Sequence, residues 1–175
     1  MINIYIDRNG EIMRRKDRQI NDFMEIYDII KRCDICRIAL NNDGYPYILP
    51  LNFGVSVEDE KLTFYFHSAL EGQKLQLIEK DNRASFEMDC SHELQYFEER
   101  GYCTYAYESV MGKGHILMIE DEKEKFEALE ILMDHYHPGK KAWFNPAAIP
   151  RTAVYKLVVE EFTAKRKEVK KREDH

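Results

Sequence analysis

Short stretches in which apolar and polar positions alternate dominate the chain. The alternation runs through residues 36–40, 45–57, 61–67, 83–89, 102–110, 115–119 and 152–162, and a two-residue period marks strands that bury one face. Two segments follow the helical period instead. Over 21–32, Phe23, Ile26, Ile29 and Ile30 share one face behind Asn21, whose side chain suits an N-cap. Over 122–136, Phe126, Leu129, Leu132, Met133 and Tyr136 do the same, until His137-Pro138-Gly139 ends the helix. A shorter helix is predicted over 71–79, with Leu75 and Ile78 inward.

Turn chemistry joins the strands. Asp43-Gly44 predicts a tight hairpin turn, and Glu58-Asp59-Glu60 a second. Residues 90–101 read as an irregular excursion, and Met111-Gly112-Lys113-Gly114 as a break between two strand segments. Pro46 and Pro50 lie within the 45–57 stretch. Proline brings no N–H to a ladder, so an edge, a bulge or an irregular crossing is expected there. Hairpin-linked strands with helices at the periphery, and no βαβ alternation, predict a mainly β fold built as an antiparallel barrel. One domain is expected over 1–175, with 1–12 a peripheral N-terminal extension and 164–175 a solvated, charged tail.

Composition narrows the function classes. The chain has 175 residues, 44% of them apolar and 12% aromatic, enough for a sizeable core. A net charge of −6 argues against a nucleic-acid partner, whose phosphates call for clustered Lys and Arg. No apolar run approaches the roughly 20 residues of a membrane span. The N-terminus lacks the pattern of a secretory signal, so a cytoplasmic location is expected. The four cysteines then read as reduced, buried or half-buried thiols. Cys33-x-x-Cys36 follows a helix and enters a strand, unlike redox pairs at helix starts. Cys90 and Cys103 do not complete a metal-ligand spacing, so no metal is expected.

One segment stands out: Phe64-Tyr65-Phe66-His67-Ser68-Ala69-Leu70-Glu71-Gly72-Gln73-Lys74. An alternating strand runs into a polar turn, and a glycine two residues before a lysine opens a helix. Helix-start N–H groups with a nearby ammonium suit a phosphate. The signal is weak by itself, because such turns occur in many folds. Its surroundings sharpen it: Cys33 to Leu40, Asp43 to Gly54, and Glu108-Ser109-Val110-Met111-Gly112-Lys113-Gly114. Together these resemble the FMN-binding split-barrel family related to pyridoxamine 5′-phosphate oxidase, in the branch with the nitroimidazole-resistance (Nim) proteins. The resemblance spans roughly Met13 to Thr163.

The resemblance implies an antiparallel split β-barrel, FMN as cofactor, and a homodimer with flavin at the subunit interface. It puts His67 near the flavin as the candidate catalytic residue, a hydrogen-bond donor or proton carrier. In isolation a histidine at a strand end is more often a surface or hydrogen-bonding residue. Ser68, Ala69, Gly72 and Lys74 form the candidate phosphate set; Arg37 or Arg83 is open as a second cation. Pro50, Leu51, Asn52 and Phe53 are the candidate bed of the isoalloxazine ring, with Asn52 where Nim relatives often have Ser. Ser109 and Val110 match a segment that lies close to the flavin in the family.

Trp143, Asn145 and Arg151 precede the final strand and match no oxidase motif securely. No basic set for a second, substrate phosphate is evident, which weakens the case for a pyridoxine phosphate substrate. Tyr102, Tyr105 and Tyr107 are expected to bury a ringed face, in the core or against a partner. The implied activity is an FMN-dependent oxidoreductase acting on a small molecule, such as a 5-nitroimidazole or another nitroaromatic. The alternatives are a flavin- or haem-carrying protein without turnover, and a barrel dimer with a vestigial site.

Overall fold

The computed structural model describes residues 15–169. In chain order its elements are β1 (Gln19–Ile20), α1 (Phe23–Arg32), β2 (Cys36–Leu40), β3 (Tyr47–Leu51), β4 (Gly54–Glu58) and β5 (Lys61–Ala69). There follow α2 (Gln73–Lys80), β6 (Arg83–Phe97), β7 (Tyr102–Ile119), α3 (Glu122–Tyr136) and β8 (Thr152–Lys167). Every strand pairing is antiparallel. The hydrogen-bonded order is β3-β2-β6-β7-β8-β5-β4, with β1 added to β8.

Strands β3 and β4 therefore stand at opposite ends of the sheet, yet only Asn52 and Phe53 separate them in the chain. The sheet must curl until its ends meet. Among the described residues no ladder joins those ends, so the barrel is split rather than closed. The 45–57 stretch is thus two strands and an irregular crossing at Asn52 and Phe53, while Pro50 sits in the edge strand β3 opposite Arg37.

Alternation along β5 explains the core. Leu62, Phe64 and Phe66 are buried, whereas Thr63, Tyr65 and His67 on the other face are half-buried. Phe64 meets Phe53 edge-on at 5.6 Å and Phe86 at 5.0 Å, and Phe66 stacks on Tyr155 at 5.7 Å. Each such ring contributes roughly 2–3 kcal/mol by leaving water. Helix α1 adds Ile26, Ile29 and Ile30 to this core. Helix α3 covers the outer face, where Ala128 and Leu129 pack on Ile119, Val154 and Tyr65.

Several local expectations are corrected. Asp22, not Asn21, caps α1: its carboxylate accepts from the Glu25 N–H at 2.9 Å, while Asn21 accepts from Gln19. Strands β2 and β3 pair last at Leu40 and Tyr47, so the Asp43-Gly44 connection is longer than a tight turn. Helix α2 buries Leu77 and Ile78, with Leu75 half-buried. The supposed excursion at 90–101 is the body of the β6–β7 hairpin, with a bulge at Ser91 and His92. Tyr105 and Tyr107 share a face of β7, and Tyr102 lies on the other.

Gly112 and Gly114 do not break β7 either. A Cβ on Gly112 would meet the Glu161 carbonyl and the Phe86 ring, and one on Gly114 the Val158 carbonyl. They let β7 press onto β8 where the register slips. Strand β8 also runs past its expected end at Phe162 to Lys167. Residues 164–167, expected in the tail, pair with β7 instead. The extension at 1–12 and the end of the tail lie outside the described residues.

Arg166 explains that longer strand. Its Nε donates to Glu108 at 2.6 Å and its guanidinium reaches Glu25 at 2.9 Å. Glu108, only 7% exposed, also accepts from Arg32 (2.5 Å) and Ser91 (2.7 Å). One carboxylate thus ties α1, the β6 bulge, β7 and β8 together.

Burial alone would raise the Glu108 pKa, but hydrogen bonds from Arg32, Ser91 and Arg166 outweigh it and hold the group at about 2. A depressed carboxylate pKa contributes stability above the unfolded value, 4.5, which is lost as pH falls towards 2. The contribution is about 2–3 kcal/mol after allowing for screening of the half-exposed Arg32. Glu108→Gln is expected to lower the melting temperature at pH 7. The gap from wild type should close between pH 4.5 and 2, as followed by circular dichroism.

Candidate functional site

The split in the barrel exposes backbone at one place. Residues Thr63 to Ala69 of β5 pair with β8, but only Lys61 to Tyr65 pair with β4. From Phe66 to Ala69 the strand has lost its β4 neighbour, and that edge faces the crossing at Asn52 and Phe53. Such an edge offers N–H and C=O groups to a planar ligand with a polar rim.

The four residues expected to bed a ring do not play one role. Pro50 and Asn52 are exposed and Leu51 is half-buried, so these three form surface. Phe53 is 0% exposed, and its ring lies in the core against Phe64 and, at 4.3 Å, His135. Its N–H is not free, since it donates to the Tyr136 hydroxyl at 3.0 Å. Phe53 anchors the strip from beneath rather than touching a ligand. Leaving a buried N–H like this one unpaired costs about 1–3 kcal/mol.

The pleat sends His67 and Ser68 to opposite faces of β5. Ser68 lies on the Phe66 face and donates to the Ala69 carbonyl at 2.9 Å. Two buried polar atoms nearby have no hydrogen-bond partner: His67 Nδ1 and the Tyr155 hydroxyl. Burial pushes the Tyr155 phenol pKa up, so it stays protonated; Ser68 tempers that shift without closing a hydrogen bond to it. Tyr155, 1% exposed, escaped the sequence reading because it sits at an inward position of an ordinary alternating strand.

Helix α2 opens at Gly72, whose φ of +140° disfavours any L side chain although nothing crowds the position. No side chain caps this helix and no acid occupies its first turn, whereas Asp22 caps α1 and Asp121 caps α3. Its first N–H groups and positive dipole end are left for an outside acceptor. Lys74 lies in that turn, and burial lowers its pKa. Burial also lowers the His67 pKa, with the Lys74 charge adding to the shift. His67 therefore favours the neutral imidazole here, and an arriving anion would raise the pKa values of both groups.

Neither arginine considered as a second cation is uncommitted. Arg37 binds Glu87 (3.0 Å) and Asp89 (2.6 Å), and Arg83 binds Asp81 through two nitrogens.

Ser109 and Val110 are not brought to His67 within one chain. Ser109 pairs with Lys165 of β8 and His67 with Val154, about eleven residues apart along that strand, or roughly 35 Å of contour. Val110 is fully buried core. Trp143 is 81% exposed, Asn145 accepts from the Ala147 N–H, and Arg151 is exposed before β8. Cys33 and Cys36 are buried, and burial pushes both thiol pKa values up. Cys90 is half-buried, but Cys103 is exposed, contrary to expectation. Among the described residues, no three His, Cys, Asp or Glu side chains cluster to hold a metal ion. Nor is any described helix long and apolar enough to cross a membrane.

A curled antiparallel sheet left open along one seam is a split barrel. The pyridoxamine 5′-phosphate oxidase family matches residues 22–166, and the chain belongs to it. A protein from Bacteroides thetaiotaomicron, provisionally assigned to 5-nitroimidazole antibiotic resistance, is 32% identical. Its structure superposes with a TM-score of 0.73, over 85% of this chain and 86% of that one. That likeness puts the chain on the Nim-like side of the family. The flavocytochrome Anf3 from Azotobacter vinelandii shares the fold at 21% identity and a TM-score of 0.75, over 95% of this chain and 78% of that one. So does the FAD and heme binding protein from Mycobacterium smegmatis, at 19% and 0.72, over 87% and 74%. No curated protein matches the chain.

A histidine titration followed by NMR should place the His67 midpoint below 6.5. Lys74→Ala should move it upward, since one source of the depression is then gone.

Proposed function

We propose that this protein is an FMN-dependent oxidoreductase that reduces flat, electron-poor small molecules, nitroaromatics among them. The observation that carries the reading is the α2 start, uncapped and joined by Lys74, beside the unpaired β5 edge. The N–H groups after Gly72 and the Lys74 ammonium suit the flavin phosphate, with the Ser68 hydroxyl free to turn from Ala69 towards it. Pro50, Leu51 and Asn52 offer a face and an edge to the isoalloxazine, against the open backbone of 66–69. When bound, the flavin supplies the hydride or electron transfer. His67, kept neutral, donates or accepts a hydrogen bond at the ring and takes up a proton as negative charge builds beside it.

The active form is a homodimer with flavin at the subunit interface. Within one chain Ser109 is far from His67, so a second copy is the route by which the β7 segment reaches a flavin. Exposed Leu94, Tyr96 and Tyr105, on one face of the β6–β7 hairpin, suit burial against such a partner. The free thiols accord with a reducing, cytoplasmic compartment. The related 5-nitroimidazole resistance protein supports a nitro group as the electron acceptor.

A second reading, cofactor carriage without turnover, draws on His67 itself. A neutral imidazole with a buried, unpartnered nitrogen is what a haem iron binds, and one structural relative carries FAD and heme.

A visible absorption spectrum of freshly purified protein, with identification of the released chromophore, tests both readings. A flavin spectrum with FMN released is expected, and Lys74→Ala should weaken FMN binding roughly 10- to 100-fold, the scale of a charge-assisted hydrogen bond. A Soret band lost in His67→Ala would favour the second reading. A colourless protein indifferent to added FMN would overturn both.

A further inference from the structure

The strip proposed to bed the flavin ring is not shaped by strand pairing. Leu51 is the last residue paired with β2 and Gly54 the first paired with β5, so Asn52 and Phe53 have no ladder partner. What holds them is the last turn of α3. The Tyr136 hydroxyl accepts from the Phe53 N–H at 3.0 Å and donates to the Asp34 carbonyl at 2.7 Å. Asp34 lies two residues before Cys36, which pairs with Leu51. One hydroxyl therefore bridges the entry to β2 and the exit from β3, where the two strands run out.

His135 reinforces the clamp. Its Nε2 donates to the Cys33 carbonyl at 2.9 Å, and its ring lies 4.3 Å from the Phe53 ring. Gly54 lets the helix come this close, since a Cβ there would fall 2.5 Å from the Leu132 Cα. The α3 backbone rests directly on the start of β4, and both banks of the crossing are tied to it.

We propose that Tyr136, seconded by His135, is a positioning residue of the flavin site: it sets the height and tilt of the Pro50–Asn52 strip beneath the ring. The inference rests on the flavin reading above. It acts through Phe53, whose N–H it holds while Asn52, next in the chain, is exposed. Its action requires a protonated phenol, because one oxygen both donates and accepts. Burial acts in that direction, raising the Tyr136 pKa.

Tyr136→Phe keeps the ring and removes only the oxygen. The test compares it with wild type and with Asp22→Ala, which removes the side-chain cap of α1. For each protein the melting temperature, FMN affinity, visible band shape and reduction potential of bound FMN are measured. Tyr136→Phe is expected to weaken FMN roughly tenfold, the scale of one lost hydrogen bond, and to change the band shape and potential. Asp22→Ala, although less stable than wild type, should leave the band shape and potential in place.

If Tyr136→Phe binds FMN with wild-type affinity, band shape and potential, the positioning role is overturned. The same holds if Asp22→Ala shifts them equally at a matched loss of stability. Should Tyr136→Phe not fold, His135→Phe, which keeps the stack on Phe53 and loses the Cys33 bond, is judged by the same readouts. A wild-type protein that takes up no flavin overturns the proposed function itself, and this inference with it.

Discussion

A chain passes from one end of an eight-stranded sheet to the other in two residues only when the sheet has curled to bring those ends together. Asn52 and Phe53 make that passage, and much of the molecule follows from it. Because β3 and β4 belong to opposite ends, their connection pairs with neither neighbour, and β5 loses its β4 partner beyond Tyr65. The barrel is left with an open seam of backbone. Phe53 driven into the core, with α3 resting on Gly54, keeps the seam in one shape. Stability and function meet there, because the residues that hold the crossing are neighbours of those that would meet a ligand.

Electrostatics completes the seam. A helix start with neither a side-chain cap nor an acid, a half-buried lysine and a half-buried histidine are each unfavourable alone. Their depressed pKa values express the cost of gathering positive charge out of water without a counter-ion. An anionic phosphate bound there would relieve all of these at once, coupling its affinity to the protonation of His67. The Glu108 cluster at the far end of β7 shows the opposite arrangement, charge already neutralised within the chain. One cluster is complete within the chain; the other is proposed to be completed by the cofactor phosphate.

The fold was largely legible in the sequence because its strands keep a strict two-residue period and its helices keep theirs. Leu62, Phe64 and Phe66 face inward as their alternation requires, and Pro50 lies in an edge strand as a proline within a sheet should. What escaped reading was register and long-range contact. The slip opposite Gly112 and Gly114 accommodates two glycines in a continuous strand, and nothing local distinguishes that from a break. Lys165 to Lys167 resemble a tail until Glu108, far away in sequence, is seen to hold Arg166. Tyr136 reads as one more apolar-face residue of a helix; its hydroxyl matters only because Phe53 and Asp34 arrive beneath it. Among the site residues, the motif around His67 was legible as a motif. The separation of Ser109 from it was not, since that depends on how β8 runs between them.

The cofactor is proposed to bind at the seam between β5 and the Asn52–Phe53 crossing. Amide hydrogen exchange of the cofactor-free protein, with and without added FMN, tests it directly. Slower exchange on binding is predicted at 66–69, at Asn52 and in the first turn of α2. Bound FMN that leaves those amides untouched, or protects another surface instead, would contradict the account.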